Sequence, residues 1–309
     1  MAGRYIAGTE IEDAVEAARR LNSEGIMAAI DNLGENVRTE AKAAQSVSEY
    51  LKLLDAIVKR GVGSSVSLKL THLGLDVSGD VAYENAEAIV KKALAAGISV
   101  RLDMEGAAYT QRTLDVFFKL RSRYENVGVA IQSYLRRSAA DVAAIIAAKG
   151  SVRLVKGAYK EPPQIAFPDK KDVDANFLKL MQGLLLNGKM PAIATHDESL
   201  VNGAITFAEA NKIPKDAFEF EMLLGIKRGL QRDLADRGFR VRVYVPYGKN
   251  WGPYTLRRLR ERKENIWFVL KNLIPLFRGN HTKCGSGAKG RGSDGLGRLF
   301  SEASWKIKR

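Results

Sequence analysis

The feature that most constrains the fold of this chain is a regular alternation of short apolar segments with longer segments of helical periodicity. The apolar segments that we predict as strands are 26–30, 66–70, 98–105, 127–132, 152–157, 192–197, 218–222 and 241–245. The predicted helices are 11–22, 37–59, 82–95, 110–124, 139–148, 174–186, 199–211 and 226–237. Strands that alternate with helices predict a parallel sheet, and eight such units in about 250 residues favour a closed (βα)8 barrel. A doubly wound open sheet is the alternative.

The composition changes after Phe277. Residues 278–309 are rich in glycine and carry eight basic side chains against Asp294 and Glu302. Such a segment is too polar to pack, so we expect one catalytic domain at 1–277 and a basic, disordered tail at 278–309. The net charge of +14 raises the alternative of a nucleic-acid-binding protein. Aromatic residues are not interleaved with the basic runs as a base-stacking surface requires, so we expect no nucleic-acid partner.

The start of the chain lacks the apolar core of a signal peptide, and no uncharged apolar run reaches the length of a membrane span. The single cysteine, Cys284, has no second cysteine with which to form an internal disulfide. These observations predict a cytoplasmic protein.

Polar side chains stand at or near the end of every predicted strand. They are Asp31, Asn32, Lys69, His72, Asp103, Glu105, Gln132, Arg153, Lys156, Tyr159, Thr195, His196, Glu219, Glu221 and Tyr244. Each one alone is more often a solvated residue or part of a structural ion pair. Together they predict a polar pocket, because the strand ends of a barrel converge and its inner positions are usually aliphatic. We expect the pocket to be rich in cations and to hold no metal, since neither a paired-cysteine pattern nor a helical His-Glu-x-x-His motif occurs.

A strand, a turn and a helix follow one another over residues 242–261, RVYVPYGKNWGPYTLRRLRE. Arg257 and Arg258 are adjacent on the predicted helix, so their side chains diverge by about 100° and can approach one carboxylate from two sides. Trp251, Tyr254, Leu256 and Leu259 make this helix apolar enough to dock rather than to stand free. The alternative is that both arginines belong to a basic outer face.

Four motifs in register resemble the proline dehydrogenase family in its monofunctional bacterial form. They are this strand-turn-helix, VRLVKGAY at 152–159, ATHD at 194–197 and FEFEMLLG at 218–225, and the resemblance extends from about residue 4 to residue 276. It implies an FAD-dependent enzyme that oxidises L-proline to Δ1-pyrroline-5-carboxylate, the first step of proline catabolism. It also implies a distorted (βα)8 TIM barrel whose last helix lies over the C-terminal strand ends.

The resemblance further implies a role for individual residues. Arg257, Arg258 and Lys69 would hold the proline carboxylate, with Tyr244 on the ring and Asp103 and Tyr159 nearby. The residues implied at the FAD are Gln132, Arg153, Lys156, Gly157, Thr195, His196 and Glu221. Electrons would pass to a membrane quinone, and the basic surface suits peripheral contact with the inner face of a membrane. Hydroxyproline or another cyclic amino acid is the alternative substrate, because a carboxylate clamp does not select the ring.

Overall fold

A computed structural model of the protein describes residues 5–252, 254 and 255. The strands are β1 (Met27–Asn32), β2 (Ser64–Leu68), β3 (Val100–Leu102), β4 (Val127–Gln132), β5 (Ser151–Val155), β6 (Ala192–Ala194), β7 (Glu219–Leu223) and β8 (Arg240–Tyr247). The helices are α1 (Ile11–Asn22), α2 (Glu40–Arg60), α3 (Gly79–Ala95), α4 (Ala107–Arg121), α5 (Ser138–Ala147), α6 (Lys170–Asn187), α7 (Glu198–Ala210) and α8 (Arg228–Asp236). The predicted end of the catalytic domain at residue 277 and the tail lie outside the described residues.

The strands form one closed parallel barrel in the order β1 to β8. Closure is made by β8 and β1, which pair along their length from Met27 opposite Arg242 to Asn32 opposite Tyr247. The prediction of a (βα)8 barrel is therefore confirmed, and the open doubly wound sheet is excluded. Every strand has two neighbours, so no edge is left to be covered.

Local sequence signals set several helix ends. The hydroxyl of Thr39 accepts a hydrogen bond from the Lys42 amide at the start of α2, and the Ser78 hydroxyl accepts one from the Val81 amide at the start of α3. Gly61 ends α2 with a φ of 61°, a left-handed conformation in which glycine carries no steric penalty. These caps satisfy backbone groups that a helix end would otherwise leave without partners.

Four predicted strands extend too far at their C-terminal ends. β5 was predicted to reach residue 157 but ends at Val155, and Gly157 has a φ of 120°. β3 was predicted to reach residue 105 but ends at Leu102, with the Asp103 amide still bonded to the Leu68 carbonyl. β6 ends at Ala194, because Asp197 turns away to become the N-cap of α7. β2 ends at Leu68, since tight turns begin with the bond from the His72 amide to the Lys69 carbonyl. In each case a polar run after the strand forms a loop.

The main hydrophobic core lies between the barrel wall and the surrounding helices, whereas the barrel interior is charged. The Arg242 guanidinium of β8 donates to Glu219 of β7 at 3.0 Å and to the Ala28 carbonyl of β1 at 2.8 Å. It also donates to the Ser65 hydroxyl of β2 at 3.2 Å. Arg242 therefore crosses the lower part of the barrel, which is the part towards the N-terminal ends of the strands. Burial alone would raise the pKa of Glu219, but the adjacent guanidinium outweighs burial and holds this pKa below its usual range.

The described residues include only four positions of the predicted last helix. Residues 251, 252, 254 and 255 are helical, and Arg257 and Arg258 lie outside the described residues. Tyr254 is buried in a cluster with Tyr244, Ala29 and Leu33, at the C-terminal ends of β8 and β1. Trp251 is 39 % exposed, so of the apolar side chains predicted to dock this helix, Tyr254 is buried and Trp251 is largely outside the packing.

Among the described residues, no helix combines the length and apolarity needed to cross a membrane. Within the same part of the chain, no group of three or more His, Cys, Asp or Glu side chains is arranged to hold a metal ion.

We expect the buried pair of Arg242 and Glu219 to be strongly coupled in folding stability. Arg242→Met leaves a buried carboxylate without its main partner and should lower the free energy of unfolding by about 3 to 5 kcal/mol. The double variant with Glu219→Gln should recover most of that loss, because it removes the uncompensated charge. Urea unfolding of both single variants and the double variant measures the coupling.

Arg19→Met is the matched control, since Arg19 forms an exposed ion pair with Glu16 on α1. Its effect should be much smaller than that of Arg242→Met. Additive losses in the double variant would contradict the assigned coupling.

Candidate functional site

A cavity of about 420 Å³ opens at the C-terminal ends of the strands. Every described residue that the family resemblance assigned to substrate or cofactor lines it: Lys69, Asp103, Gln132, Arg153, Lys156, Gly157, Tyr159, Thr195, His196, Glu221 and Tyr244. The strand ends thus converge as the barrel prediction required. The assignment of these residues to cofactor or substrate stays a prediction, and the two arginines of the last helix lie outside the described part of the chain.

Arg153 is the central cation of the cavity. From β5 its guanidinium donates to Asp103 after β3 at 2.5 Å, to Glu221 of β7 at 2.7 Å and to the Ser67 hydroxyl of β2 at 2.9 Å. Burial by itself would lower the pKa of Arg153, but the charges of Glu221 and Asp103 outweigh it and the pKa is raised. Arg153 is therefore a fixed positive charge, and it ties together strands on opposite sides of the barrel.

Lys69 is the second buried cation. Its ammonium lies 2.6 Å from Asp31 of β1 and 3.8 Å from Asp103. Burial opposes the charge on Lys69, but Asp31 and Asp103 together raise its pKa above the ordinary value. The lysine therefore keeps its proton throughout the neutral range, where it can act as a cation but not as a base.

Tyr244 stands between two carboxylates. Its hydroxyl oxygen is 2.7 Å from an oxygen of Asp31 and 2.7 Å from an oxygen of Asp103. One hydroxyl hydrogen can be donated to only one of them at a time. Burial, followed by these two charges, raises the pKa of Tyr244 well above 10, so the phenol stays protonated and its ring is held at the cavity wall.

The expectation of a cation-rich pocket needs correction. Each described cation is matched by carboxylates: Lys69 by Asp31, Arg153 by Asp103 and Glu221, and Lys156 by Asp174 at 2.5 Å and Asp197 at 2.9 Å. Buried charges are tolerated only when they are paired, which is why the strand ends supply acids as well as bases. With its groups ionised, the inner cluster of Asp31, Asp103, Glu221, Lys69 and Arg153 has a surplus negative charge.

The remaining cavity residues present both donors and acceptors. The His196 ring accepts a hydrogen bond from the Leu223 amide at Nε2, at 2.9 Å, so the hydrogen of the neutral ring lies on Nδ1. Gln132 donates from its side-chain nitrogen to the Glu105 carbonyl at 2.8 Å, which leaves the amide oxygen as an acceptor. The Thr195 hydroxyl accepts from the Asp197 amide at 3.1 Å.

Asp31 was predicted to belong to the polar pocket but was given no role at the substrate or the cofactor. It is fully buried and holds both Lys69 and Tyr244. Ser67 was missed altogether, although it receives the bond from Arg153. The signal was available in the alternation of Ser65, Ser67 and Lys69 with apolar residues, which places all three on the inner face of β2.

Five of the predicted pocket residues do not line the cavity: Asp31, Asn32, His72, Glu105 and Glu219. Glu105 is buried outside the cavity lining and accepts hydrogen bonds from the Thr71 hydroxyl and amide, and burial raises its pKa. His72 packs against the loop after β1, where a Cβ on Gly34 would lie 2.2 Å from its Nε2 atom. Burial, with the nearby charge of Lys69, lowers the pKa of His72 to about 4 despite the opposing charge of Asp31.

The family model described as proline dehydrogenase matches residues 14–271. The chain belongs to the proline dehydrogenase family. It is similar to proline dehydrogenase 1 of Bacillus subtilis (strain 168), with 41% identity over 273 residues that cover 88% of this chain and 90% of that protein. It is also 40% identical over 279 residues to proline dehydrogenase of Deinococcus radiodurans, which covers 89% of this chain and 90% of that one. The resemblance carried by the four motifs is confirmed, and the chain is an enzyme of the oxidoreductase class.

Solved structures agree on the fold. Proline utilization A from Bdellovibrio bacteriovorus, in a form inactivated by N-propargylglycine, superposes with a TM-score of 0.80 at 28% identity. That match covers 85% of this chain and 33% of the other, so the chain spans about a third of that protein. The similarity locates the proline dehydrogenase barrel within the larger protein.

We expect His72 to make folding stability depend on pH. Between pH 6.5 and about 4 the unfolded chain binds a proton that the folded histidine does not, so stability is lost as the pH falls through this window. His72→Gln should remove that contribution, which amounts to about 2 to 3 kcal/mol between pH 7 and pH 4.5. Urea unfolding of both proteins at the two pH values measures it.

The comparison isolates the titration of His72. Packing lost in the variant changes the free energy of unfolding at both pH values alike, and the other titrating groups contribute alike in both proteins. Equal pH dependence in the two proteins would contradict the assignment.

Proposed function

We propose that this protein oxidises L-proline to Δ1-pyrroline-5-carboxylate with FAD bound in the cavity, as the first step of proline catabolism. The observation that carries the proposal is the convergence on one cavity of every described residue that the family resemblance assigns to FAD or proline. Membership of the proline dehydrogenase family supports the same conclusion. The proposal treats residues 1–277 as the catalytic domain and 278–309 as a basic accessory tail.

The residues on the β4 to β7 side of the cavity fit FAD. One oxygen of Glu221, Oε1, is buried and has no hydrogen-bond partner among the described residues, so it can accept from a bound ligand. Gly157 lines the cavity with a φ of 120°, and a Cβ there would lie 2.2 Å from the Tyr134 ring, so a residue without a side chain is needed where this backbone packs against Tyr134. Lys156, Arg153, Gln132, Thr195 and His196 supply cations and hydrogen-bonding groups of the kinds that phosphate, ribityl and ring atoms require.

FAD, when bound, supplies the acceptor for the hydride that leaves C5 of proline. The protein positions the substrate for that transfer. In the proposal, Arg257 and Arg258 bind the proline carboxylate from two sides, and Lys69 contributes a third positive charge. Holding the carboxylate fixes the ring relative to the cavity wall, and orientation of this kind supplies a large share of enzymatic rate enhancement.

The inner cluster of charged residues is suited to hold the side chains on the proposed substrate and cofactor sides in fixed positions. Tyr244 offers its ring to the substrate while its hydroxyl is fixed by Asp31 and Asp103. Asp103 also holds Arg153, so the substrate side and the proposed cofactor side share one carboxylate. The surplus negative charge of the cluster favours addition of the two positive charges that Arg257 and Arg258 carry.

We further propose that electrons leave to a membrane quinone, with the protein in peripheral contact with an anionic membrane surface. The support is the net charge of +14 and the concentration of basic side chains after residue 277.

The absorbance spectrum before and after addition of L-proline tests the proposed function. Purified protein should absorb near about 450 nm and release FAD on denaturation, and proline without an electron acceptor should bleach that band. Hydroxyproline and other cyclic amino acids, tested in the same way, report the selectivity at Tyr244. A colourless protein, or a flavin that only another amino acid reduces, would contradict the proposal.

We expect Arg257→Met to raise the KM for proline steeply while FAD remains bound. The variant loses one of the three cations that bind the carboxylate, and the expected change is about 100-fold, in line with a charged hydrogen bond of 1.5 to 3 kcal/mol. Steady-state kinetics and the flavin spectrum measure the two quantities. Arg262→Met, which removes a charge five residues further along, is the matched control. Unchanged kinetics for Arg257→Met would place the clamp elsewhere.

A further inference from the structure

The connection between β5 and α6 forms one wall of the cavity. It runs from residue 156 to 169 and is the longest strand-to-helix connection among the described residues. Its first four residues, Lys156 to Tyr159, all line the cavity, whereas the rest of the connection lies beyond the lining. A connection of this length needs anchors if its first part is to keep a fixed position.

Both ends of the connection are anchored at Tyr134, in the loop after β4. The Tyr134 amide donates to the Lys156 carbonyl at 2.9 Å, and the Tyr134 carbonyl accepts from the Phe167 amide at 2.8 Å. Arg136 adds two bonds, from its amide to the Ile165 carbonyl and from its Nε to the Pro163 carbonyl, each at 2.9 Å. These contacts hold the start and the second half of the connection.

The middle is held by Glu161. Its Oε1 atom accepts a hydrogen bond from the Ala107 amide at 2.7 Å, at the first residue of α4. The N-cap of α4 is Gly106, which has no side chain to cap the helix, and the first turn of α4 contains no acidic residue. The carboxylate of a different loop therefore supplies the cap, where a negative charge also interacts favourably with the helix dipole.

The bond joins two parts of the site. The chain from Asp103 to Gly106 is the whole connection between β3 and α4, so the start of α4 is fixed close to a cavity carboxylate. Glu161 follows Tyr159 by two residues. The bond from Glu161 to Ala107 thus spans β4 and ties the wall that carries Tyr159 to the short loop that carries Asp103.

We propose that Glu161 is a positioning residue of the dehydrogenase, which holds Tyr159 at the cavity wall by capping α4. This inference rests on the proposed function. Glu161 does not line the cavity, so it acts through the loop and not by touching the substrate. Loss of the cap removes the bond that ties the segment after Tyr159 to the start of α4, and the substrate then has to restore part of that order when it binds.

The free energy needed to order the segment should weaken proline binding and leave the chemical step unchanged, because the ordered complex is the same once proline is bound. Glu161→Ala should raise the KM for proline about fivefold, the factor that loss of a helix cap implies, with kcat changed by less than about twofold. Glu161→Gln keeps an oxygen that can accept from the Ala107 amide, so its KM should stay within about twofold of the wild-type value.

The test combines these kinetics with hydrogen exchange of the Ala107 amide, measured by mass spectrometry with fragmentation to single residues. Exchange at Ala107 should be faster in Glu161→Ala than in the wild-type protein and should be restored in Glu161→Gln. Lys160→Ala, an exposed neighbour on the same loop, is the matched control and should leave both readouts unchanged.

The outcomes separate the possible failures. Unchanged exchange at Ala107 in Glu161→Ala would overturn the assigned cap. Faster exchange with an unchanged KM would show that the cap stabilises α4 without positioning the site. A wild-type protein that does not oxidise proline would reject the proposed function and the role of Glu161 in it, whatever the exchange at Ala107 shows.

Discussion

The structure depends most on the way Arg153 is held inside the barrel. A guanidinium in a protein interior is stable only when carboxylates and further acceptors surround it. Arg153 obtains them from three other strands, through Asp103, Glu221 and Ser67. The contacts run across the barrel rather than along its wall, so they fix the distance between opposite strands. The geometry of the cavity follows from that distance.

The charged interior has two levels with different consequences. The lower level, with Arg242, Glu219 and Ser65, is closed off from the cavity and serves folding. The upper level contains Asp103 and Arg153 and opens to the ligand side. This division agrees with the general behaviour of (βα)8 barrels, in which the C-terminal face carries the chemistry and the remainder carries the stability. What differs here is that ion pairs replace the usual aliphatic layers on both levels.

The proposed substrate side and the proposed cofactor side of the cavity are linked by shared carboxylates. Asp103 accepts from Arg153 and from Tyr244, and Asp31 accepts from Lys69 and from the same tyrosine. A displacement on either side is therefore transmitted to the other, which favours a site that is organised before the ligand binds. The outer wall is held separately, by the anchors at Tyr134 and by the cap that Glu161 supplies to α4.

The sequence by itself determined the barrel and most of the site. Helix α1 and strand β4 were predicted at their observed ends, and the other elements to within a few residues, because apolar periodicity and capping signals are local properties of the chain. The order of elements then forced the polar strand ends to one face. Only the tertiary structure decided which charges pair, since partners such as Arg153 and Glu221 are 68 residues apart and meet by strand register. It also left His72 and Asp31 out of the cavity lining, with Asp31 bound instead to Lys69 and Tyr244, because side-chain burial depends on what the neighbouring loops cover. The bond from Glu161 to Ala107 has no sequence signal, since a carboxylate in a long loop can cap any helix that the fold brings within reach.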